Sequence, residues 1–340
     1  MDLREIPTTR LRGSTIGFFA PMNGGKTEGL IQELKRAQYY NLQPLAYNHA
    51  HNSREHDAIV IDGKEKYPAT TIDSILTLRQ DLEQKVQQLR IDYHTNEIAR
   101  ITSGNTYETH PPQGIEQLNE IVIGIDEINL FCLSEKEAQD TVEFMDWCRG
   151  NNMLLLVAGL LYDFRHRPFG YVHSLLPYID IKEEKKPACM AIRPNGKKCD
   201  DTAKHTQRVW SKEFAKQQDF EFLLELQPSF PYVNKDRQTF ITQYIAAPFF
   251  DKTVHIEETK SKKDIDYLPV CSRCAQLPFK EETFAIYNSL MNSHPPKLKD
   301  PRVESSIKKF LIQEAWISQQ GKKCVAQPYY HSILGGFAPR

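Results

Sequence analysis

No stretch of this 340-residue chain approaches the roughly 18 consecutive apolar residues that a membrane helix needs. The opening MDLREIPTTRLRGS lacks the apolar core of a secretory leader. Charge of neither sign is in surplus: 43 basic residues face 44 acidic ones, a net charge of −1. No overall field therefore draws the chain to nucleic acid or to an anionic surface, and either partner would need a local patch. Internal repeats and low-complexity tracts are absent, and cysteine is scarce at seven residues. From these absences we expect a globular, cytoplasmic protein with no membrane partner, and nucleic acid is not an expected partner either. In a reducing compartment its cysteines serve as thiols or metal ligands rather than disulfides.

What is present is a strand–helix alternation. TIGFF at 15–19 reads as a buried strand, and 27–39 as a helix with Leu30, Ile31 and Leu34 on one face. A second strand is expected at 43–47, an exposed loop at 48–57, and a long helix over about 73–101. EIVIGIDE at 120–127 is an apolar run ending in two acids; a helix at 135–149 and a strand at 154–160 follow. This pattern predicts an α/β fold, a parallel sheet with helices on both faces, whose ligands bind at the carboxyl ends of the strands. After about residue 182 the alternation gives way to lysines, cysteines and irregular segments. Helices are expected there at 211–226 and 303–320.

Two motifs fall at strand ends. APMNGGKTEGL, Ala20 to Leu30, ends its loop in Gly25-Lys26-Thr27 just before a helix. Backbone N–H groups of such a loop surround phosphate oxygens. Lys26 would reach the β- and γ-phosphates, and Thr27 would ligate Mg²⁺. Ala20 stands where the usual pattern has its first glycine, which is tolerable if φ is negative there. A Gly-rich turn that merely happens to contain Lys-Thr has the same composition; the strand before and the helix after argue for the phosphate loop. The second motif is Asp126-Glu127. Asp126 suits Mg²⁺, and Glu127 suits a proton acceptor or a water-orienting group. An acid pair at a helix N-terminus after a core strand is the plainer alternative.

Cys271-Ser-Arg-Cys274 has zinc-knuckle spacing, and Cys189 with Cys199 offers a second, wider pair. CMAIRPNGKKC can fold as a hairpin turning at Pro194-Asn195-Gly196, which brings both sulfurs to one end. Four thiolates would make a closed structural zinc site. Cys132, Cys148 and Cys324 have no evident partner.

In this order, APMNGGKTEGL, NSREHD, IGIDEINLF, AGLLYDFRHRPFG, the Cys189–Cys199 pair, AKHTQR and YLPVCSRC resemble the zinc-containing class of thymidine kinases. The resemblance implies a P-loop nucleotide-binding α/β domain (1–182) and a zinc domain with a nucleoside-covering lasso (183–275, with an insertion at about 209–250). A C-terminal extension of unknown role follows at 276–340. It implies transfer of the γ-phosphate of ATP to the 5′-hydroxyl of thymidine or a related pyrimidine deoxynucleoside, in a homo-oligomer, commonly a tetramer. Ala20, Pro21, Met22, Asn23, Gly24, Gly25, Lys26 and Thr27 would hold the triphosphate. Asn52, Arg54, Asp126 and Asn129 belong to the same donor side. Glu127 would be the general base. Met22, Leu130, Phe164 and Tyr267 would contact the nucleoside. Cys189, Cys199, Cys271 and Cys274 would bind zinc, and Thr27 with Asp126 magnesium. Arg165 or Arg167 could add positive charge near the phosphates or belong to a solvated basic stretch, and the second reading is slightly favoured. Departures from the family pattern are Ala20, Asn52, Asn129, Leu130, Leu161, His205 and a lasso without its glycine pair. Two other readings use the same motifs: a nucleotide-binding regulatory protein on this scaffold, and an ATPase whose cysteine module binds nucleic acid.

Overall fold

A computed structural model describes residues 11–51, 57–61, 65–102, 115, 118–217, 220–234, 237–251, 264–291, 298–314 and 316–317. These form two compact units. The first holds the described residues through Cys189 together with Asp201–Thr206; the second holds Met190–Asp200 and the described residues from Gln207 on.

The first unit runs β1 (Thr15–Phe19), α1 (Lys26–Tyr39), β2 (Gln43–His49), β3 (Ala58–Ile61), β4 (Glu65–Pro68), β5 (Thr70–Ile72), α2 (Ile75–Thr102), β6 (Ile121–Ile125), α3 (Glu135–Gly150), β7 (Leu154–Gly159) and β8 (Ile181–Glu184). Six strands make one parallel sheet in the order β5-β2-β6-β7-β1-β8, while β3 and β4 pair antiparallel beside it. Strand alternation divides the core in two. Ile16, Phe18, Val122, Leu154 and Leu156 pack on one face with Leu30, Ile31 and Leu34 of α1. Ile121, Ile123, Leu155 and Val157 pack on the other with Leu78 and Leu82 of α2 and Val142 and Met145 of α3. Both faces are covered, so the strands read as nearly continuous apolar runs. Ser134 and Glu137 cap the N-terminus of α3 reciprocally, which fixes where that helix starts. The expected loop at 48–57 is corrected at its start. Asn48 and His49 are buried and complete β2, because β5 pairs there with Asn48 and His49. Burial, aided by His51, pushes the His49 imidazole down to about 4.

The second unit contains β9 (His205–Ser211, whose first two residues belong to the first unit), α4 (Lys212–Gln217), α5 (Leu223–Leu226), β10 (Tyr232–Val233), β11 (Phe240–Ile241), β12 (Tyr244–Ala246), β13 (Ile265–Val270), α6 (Lys280–Met291) and α7 (Pro301–Gln313). β9 is the middle strand of three, and one aromatic core joins Trp210, Phe214 and Phe250 to Tyr287 of α6, Phe310 of α7 and Trp316. The single helix expected over 211–226 is two short ones. Phe220 and Phe222 both pack on this core, and two residues sit roughly 200° apart on a continuous helix, so the chain must turn to bury both. The C-terminal helix ends at Gln313 rather than 320, where Trp316 folds back onto Leu311 through a backbone hydrogen bond of 2.8 Å.

α1 approaches the sheet closely at Gly124. A Cβ there would stand 2.8 Å from a Leu34 methyl. Gly124→Val is expected to lower unfolding stability by about 2 kcal/mol through overpacking. Gly150→Ala, where a Cβ meets nothing within 4 Å, should leave it unchanged or slightly raised. Urea denaturation midpoints of the two variants check both.

Candidate functional site

The loop between β1 and α1 is a compact turn. The Gly24 N–H donates to the Pro21 carbonyl at 3.0 Å, and Asn23 and Gly25 take φ of 60° and 83°. Ala20 is not among the residues of positive φ, so its methyl imposes no left-handed strain. That methyl instead packs into the space Gly24 leaves: a Cβ on Gly24 would lie 2.6 Å from it. α1 then begins at Lys26, with the Gly29 N–H donating to Gly25 at 3.1 Å.

β6 is not the neighbour of β1; β7 lies between them. The acids nevertheless reach the loop, for two local reasons. Glu127 is left-handed, with φ 52°, and bends the chain immediately after the strand. The following turn, Ile128–Phe131, crosses the end of β7, where Gly159 leaves room for it. A Cβ at 159 would stand 2.7 Å from Asn129 Oδ1, and the Leu160 N–H donates to that same oxygen at 2.8 Å.

Four side chains converge as a result. Lys26 Nζ donates to Glu127 Oε1 at 2.7 Å, with only 7% and 13% of the two side chains exposed. The Thr27 hydroxyl lies 3.2 and 3.3 Å from the Asp126 carboxylate oxygens. Asp126 is buried. A hydroxyl and a carboxylate, both hard oxygen donors, fit a magnesium ion. A non-glycine residue in the left-handed region costs of order 1 kcal/mol, and such strain clusters at functional sites.

The remaining candidates are placed as follows. The Met22 N–H donates to Thr206 Oγ1 at 3.0 Å, and its side chain packs against the core, as Leu130 does. Phe164 is buried beneath the Arg165 guanidinium, 4.9 Å from the ring centre. Tyr267, on β13 of the second unit, is half-buried with the Arg208 guanidinium 5.7 Å from its ring. Asn52 and Arg54 lie outside the described residues.

Arg165 and Arg167 are not solvated; both are buried. Asp163, absent from the candidates drawn from sequence, explains this. Its Oδ1 accepts the backbone N–H groups of Arg165 and Arg167 at 2.8 and 3.0 Å, and its other oxygen is 3.7 Å from the Arg165 guanidinium. Burial pushes the Asp163 carboxyl up, against the opposing charge of Arg165. An Asp two and four residues ahead of arginines was the available signal. The loop also presents His166, at φ 63°, whose ring stacks on His205 with centroids 3.9 Å apart.

The segment after Cys189 forms the expected hairpin: Arg193 N–H donates to Lys197, Gly196 N–H to Arg193, and Gly196 takes φ 75°. The Cys189, Cys199, Cys271 and Cys274 sulfurs all lie within 4.8 Å of one another, and Cys199 and Cys271 are 3.8 Å apart. A tetrahedral zinc with bonds of about 2.3 Å separates its sulfurs by about 3.8 Å, so this cluster fits zinc. Cys132 and Cys148 are buried elsewhere, and burial pushes the Cys132 thiol up to about 12.

Among the described residues no helix is long and apolar enough to cross a membrane. The family model described as "Thymidine kinase" matches residues 14–103 and 88–219. A thymidine kinase of Mesoplasma florum is 23% identical over 189 residues, 55% of this chain and 72% of that protein. One from Yaba monkey tumor virus is 26% identical over 173 residues, and one from Mycoplasma mobile 24% over 190; these cover 51% and 56% of this chain and 72% of each relative. Among solved structures, the cytoplasmic domain of the Thermomonospora curvata type VII secretion ATPase EccC aligns with 71% of this chain and 24% of its own at 10% identity. Its TM-score of 0.30 is too low to carry an argument. With the glycine-rich loop after β1 set against the acids of β6 and four cysteines gathered in one cluster, this chain belongs to the thymidine kinase family as a divergent member.

Proposed function

We propose that the protein is an ATP-dependent nucleoside kinase that moves the γ-phosphate of ATP to the 5′-hydroxyl of thymidine or a related pyrimidine deoxynucleoside. The observation that carries this reading is the contact of Lys26 with Glu127 beside that of Thr27 with Asp126. In this proposal the loop from Ala20 to Thr27 cradles the triphosphate. Arriving phosphate oxygens take Lys26 from Glu127, and the released carboxylate orients the 5′-hydroxyl and accepts its proton. Lys26 then faces the charge that builds on the transferring group. Thr27 and Asp126 would hold Mg²⁺, which when bound neutralises charge on the phosphate oxygens. Phe164, Tyr267 of the lasso, Met22 and Leu130 are the proposed base contacts. The division at residues 182 and 275 into phosphate, zinc–lasso and extension regions belongs to the same proposal, as do the structural zinc and a homo-oligomeric state.

A panel of nucleosides with ATP and Mg²⁺ is expected to yield a pyrimidine deoxynucleoside 5′-monophosphate. Glu127→Gln should lower that turnover about 100-fold, the usual contribution of a positioned proton acceptor. Equal turnover by the variant would remove Glu127 from its role. ADP release indifferent to nucleosides but raised by DNA or RNA would replace the kinase with an ATPase, and tight ATP binding without product would replace it with a regulatory protein.

For the cysteines, metal analysis of the purified protein should give close to one zinc per chain. Cys199→Ser should lose most of it and lower the thermal midpoint, because metal binding contributes to folding free energy. Full stability of a zinc-free preparation would refute the assignment.

A further inference from the structure

We infer that the stretch 209–250 braces the Cys199 arm of the cysteine cluster, and that Arg193 and Arg237 set how firmly that arm holds a metal. This rests on the reading that the four cysteines bind zinc.

The two halves of the cluster are not equally self-supporting. Cys271 and Cys274 have two residues between them, and the N–H groups of Cys274 and Ala275 both donate to the Cys271 carbonyl at 3.0 Å. That turn holds its sulfurs by itself. Cys189 and Cys199 have nine residues between them, and a longer loop costs more entropy to close. The hairpin's own bonds hold its tip and join the Cys199 N–H to the Ala191 carbonyl at 3.0 Å.

Further ties come from the stretch 209–250. β10 extends the first arm: the Ile192 N–H donates to the Pro231 carbonyl at 3.0 Å and the Val233 N–H to Met190 at 2.9 Å, with Ala191 opposite Tyr232. Arg237, between β10 and β11, holds the second arm. Its guanidinium donates to the Cys199 carbonyl at 2.9 Å, and its own carbonyl accepts the Lys198 ammonium. Arg237 is itself fixed, its N–H donating to the Asn234 carbonyl at 2.9 Å.

Arg193 acts on the sulfur. Its guanidinium donates to Cys199 Sγ at 3.5 Å, and Cys199 is fully buried. Four thiolates around a divalent ion leave excess negative charge. A guanidinium at one sulfur offsets that charge, and its N–H engages an electron pair that an oxidant would otherwise attack. Arg193 and Arg237 are thus positioning residues, one acting through the sulfur and the other through the backbone of the same cysteine.

Zinc release from the purified full chain into excess chelator, followed with a colour-forming zinc indicator, tests this. Arg193→Met and Arg237→Met keep the aliphatic stem and remove the guanidinium. Each is expected to speed release about tenfold, the lower end for outer-shell partners of a metal ligand. Lys197→Ala removes a charge from the exposed tip of the same hairpin and should leave the rate unchanged. Cobalt loaded in place of zinc gives a reading that general loosening would not. Arg193→Met should move the thiolate-to-cobalt absorption to longer wavelength, because the sulfur electron pair rises in energy, and Arg237→Met should leave it in place. Circular dichroism verifies folding. A variant that misfolds is replaced by Arg193→Lys or Arg237→Lys, which also lose the planar fork. Unchanged release in either variant overturns that residue's role, and an unmoved cobalt band in Arg193→Met overturns the sulfur contact; both results leave the zinc reading intact. Equal acceleration by Lys197→Ala assigns the effect to charge at large and overturns both roles. A parent chain that binds neither zinc nor cobalt overturns the zinc reading and this inference with it.

Discussion

One contact organises the first unit: the Lys26–Glu127 ion pair, made between residues 101 apart in the chain. Both side chains are nearly shielded from water. Taking two charges out of water costs several kcal/mol per ion, so such a pair adds little net stability. Breaking it is different, because a lone buried charge remains. The pair therefore specifies position: the loop after β1 and the end of β6 are held together across the strand between them. Its neighbour, Thr27 with Asp126, repeats that constraint one residue later in α1 and one residue earlier at the end of β6.

The rest of the unit is arranged so that this contact can form. Glu127 takes a left-handed backbone, Gly159 yields the space the next turn needs, and Asn129 ties that turn to Leu160. Gly124 lets α1 lie close on the sheet, and α1 carries Lys26 and Thr27 at its start. Thr206 fixes the near side of the loop through Met22. Asp163 organises the third loop at the same sheet edge by accepting two backbone amides and facing a buried arginine.

The second unit has its own logic. Residues from the 209–250 stretch and from beyond 276 complete one another's core, with Trp210, Phe250, Phe310 and Trp316 in a single cluster. Asp251 accepts the Trp210 indole N–H at 2.9 Å and lies 3.0 Å from the buried Arg208. Neither stretch could bury these aromatics by itself. The cysteine hairpin is more local, since Gly196 supplies the left-handed turn that returns Cys199 toward Cys189.

The strands β1, β6 and β7 and the helices α1 and α3 were legible in the amino-acid sequence, because burial on both faces of a parallel sheet leaves uninterrupted apolar runs and each helix keeps its own 3.6-residue stripe. The glycine-rich turn before α1, the acid pair after β6 and the cysteine hairpin were legible too, since each is a short segment defined by adjacent residues. Other features depended on neighbours distant in the chain. Arg165 and Arg167 look solvated until Asp163 and the Phe164 ring are placed around them; 211–226 looks like one helix until Phe220 and Phe222 must reach the same core. Local spacing thus determined most of the first unit's elements and singled out Lys26, Thr27, Asp126 and Glu127. Only tertiary structure decided that the ammonium of Lys26 and the carboxylate of Glu127 meet at 2.7 Å, because that distance depends on strand order, on a glycine at the end of an intervening strand and on one left-handed residue.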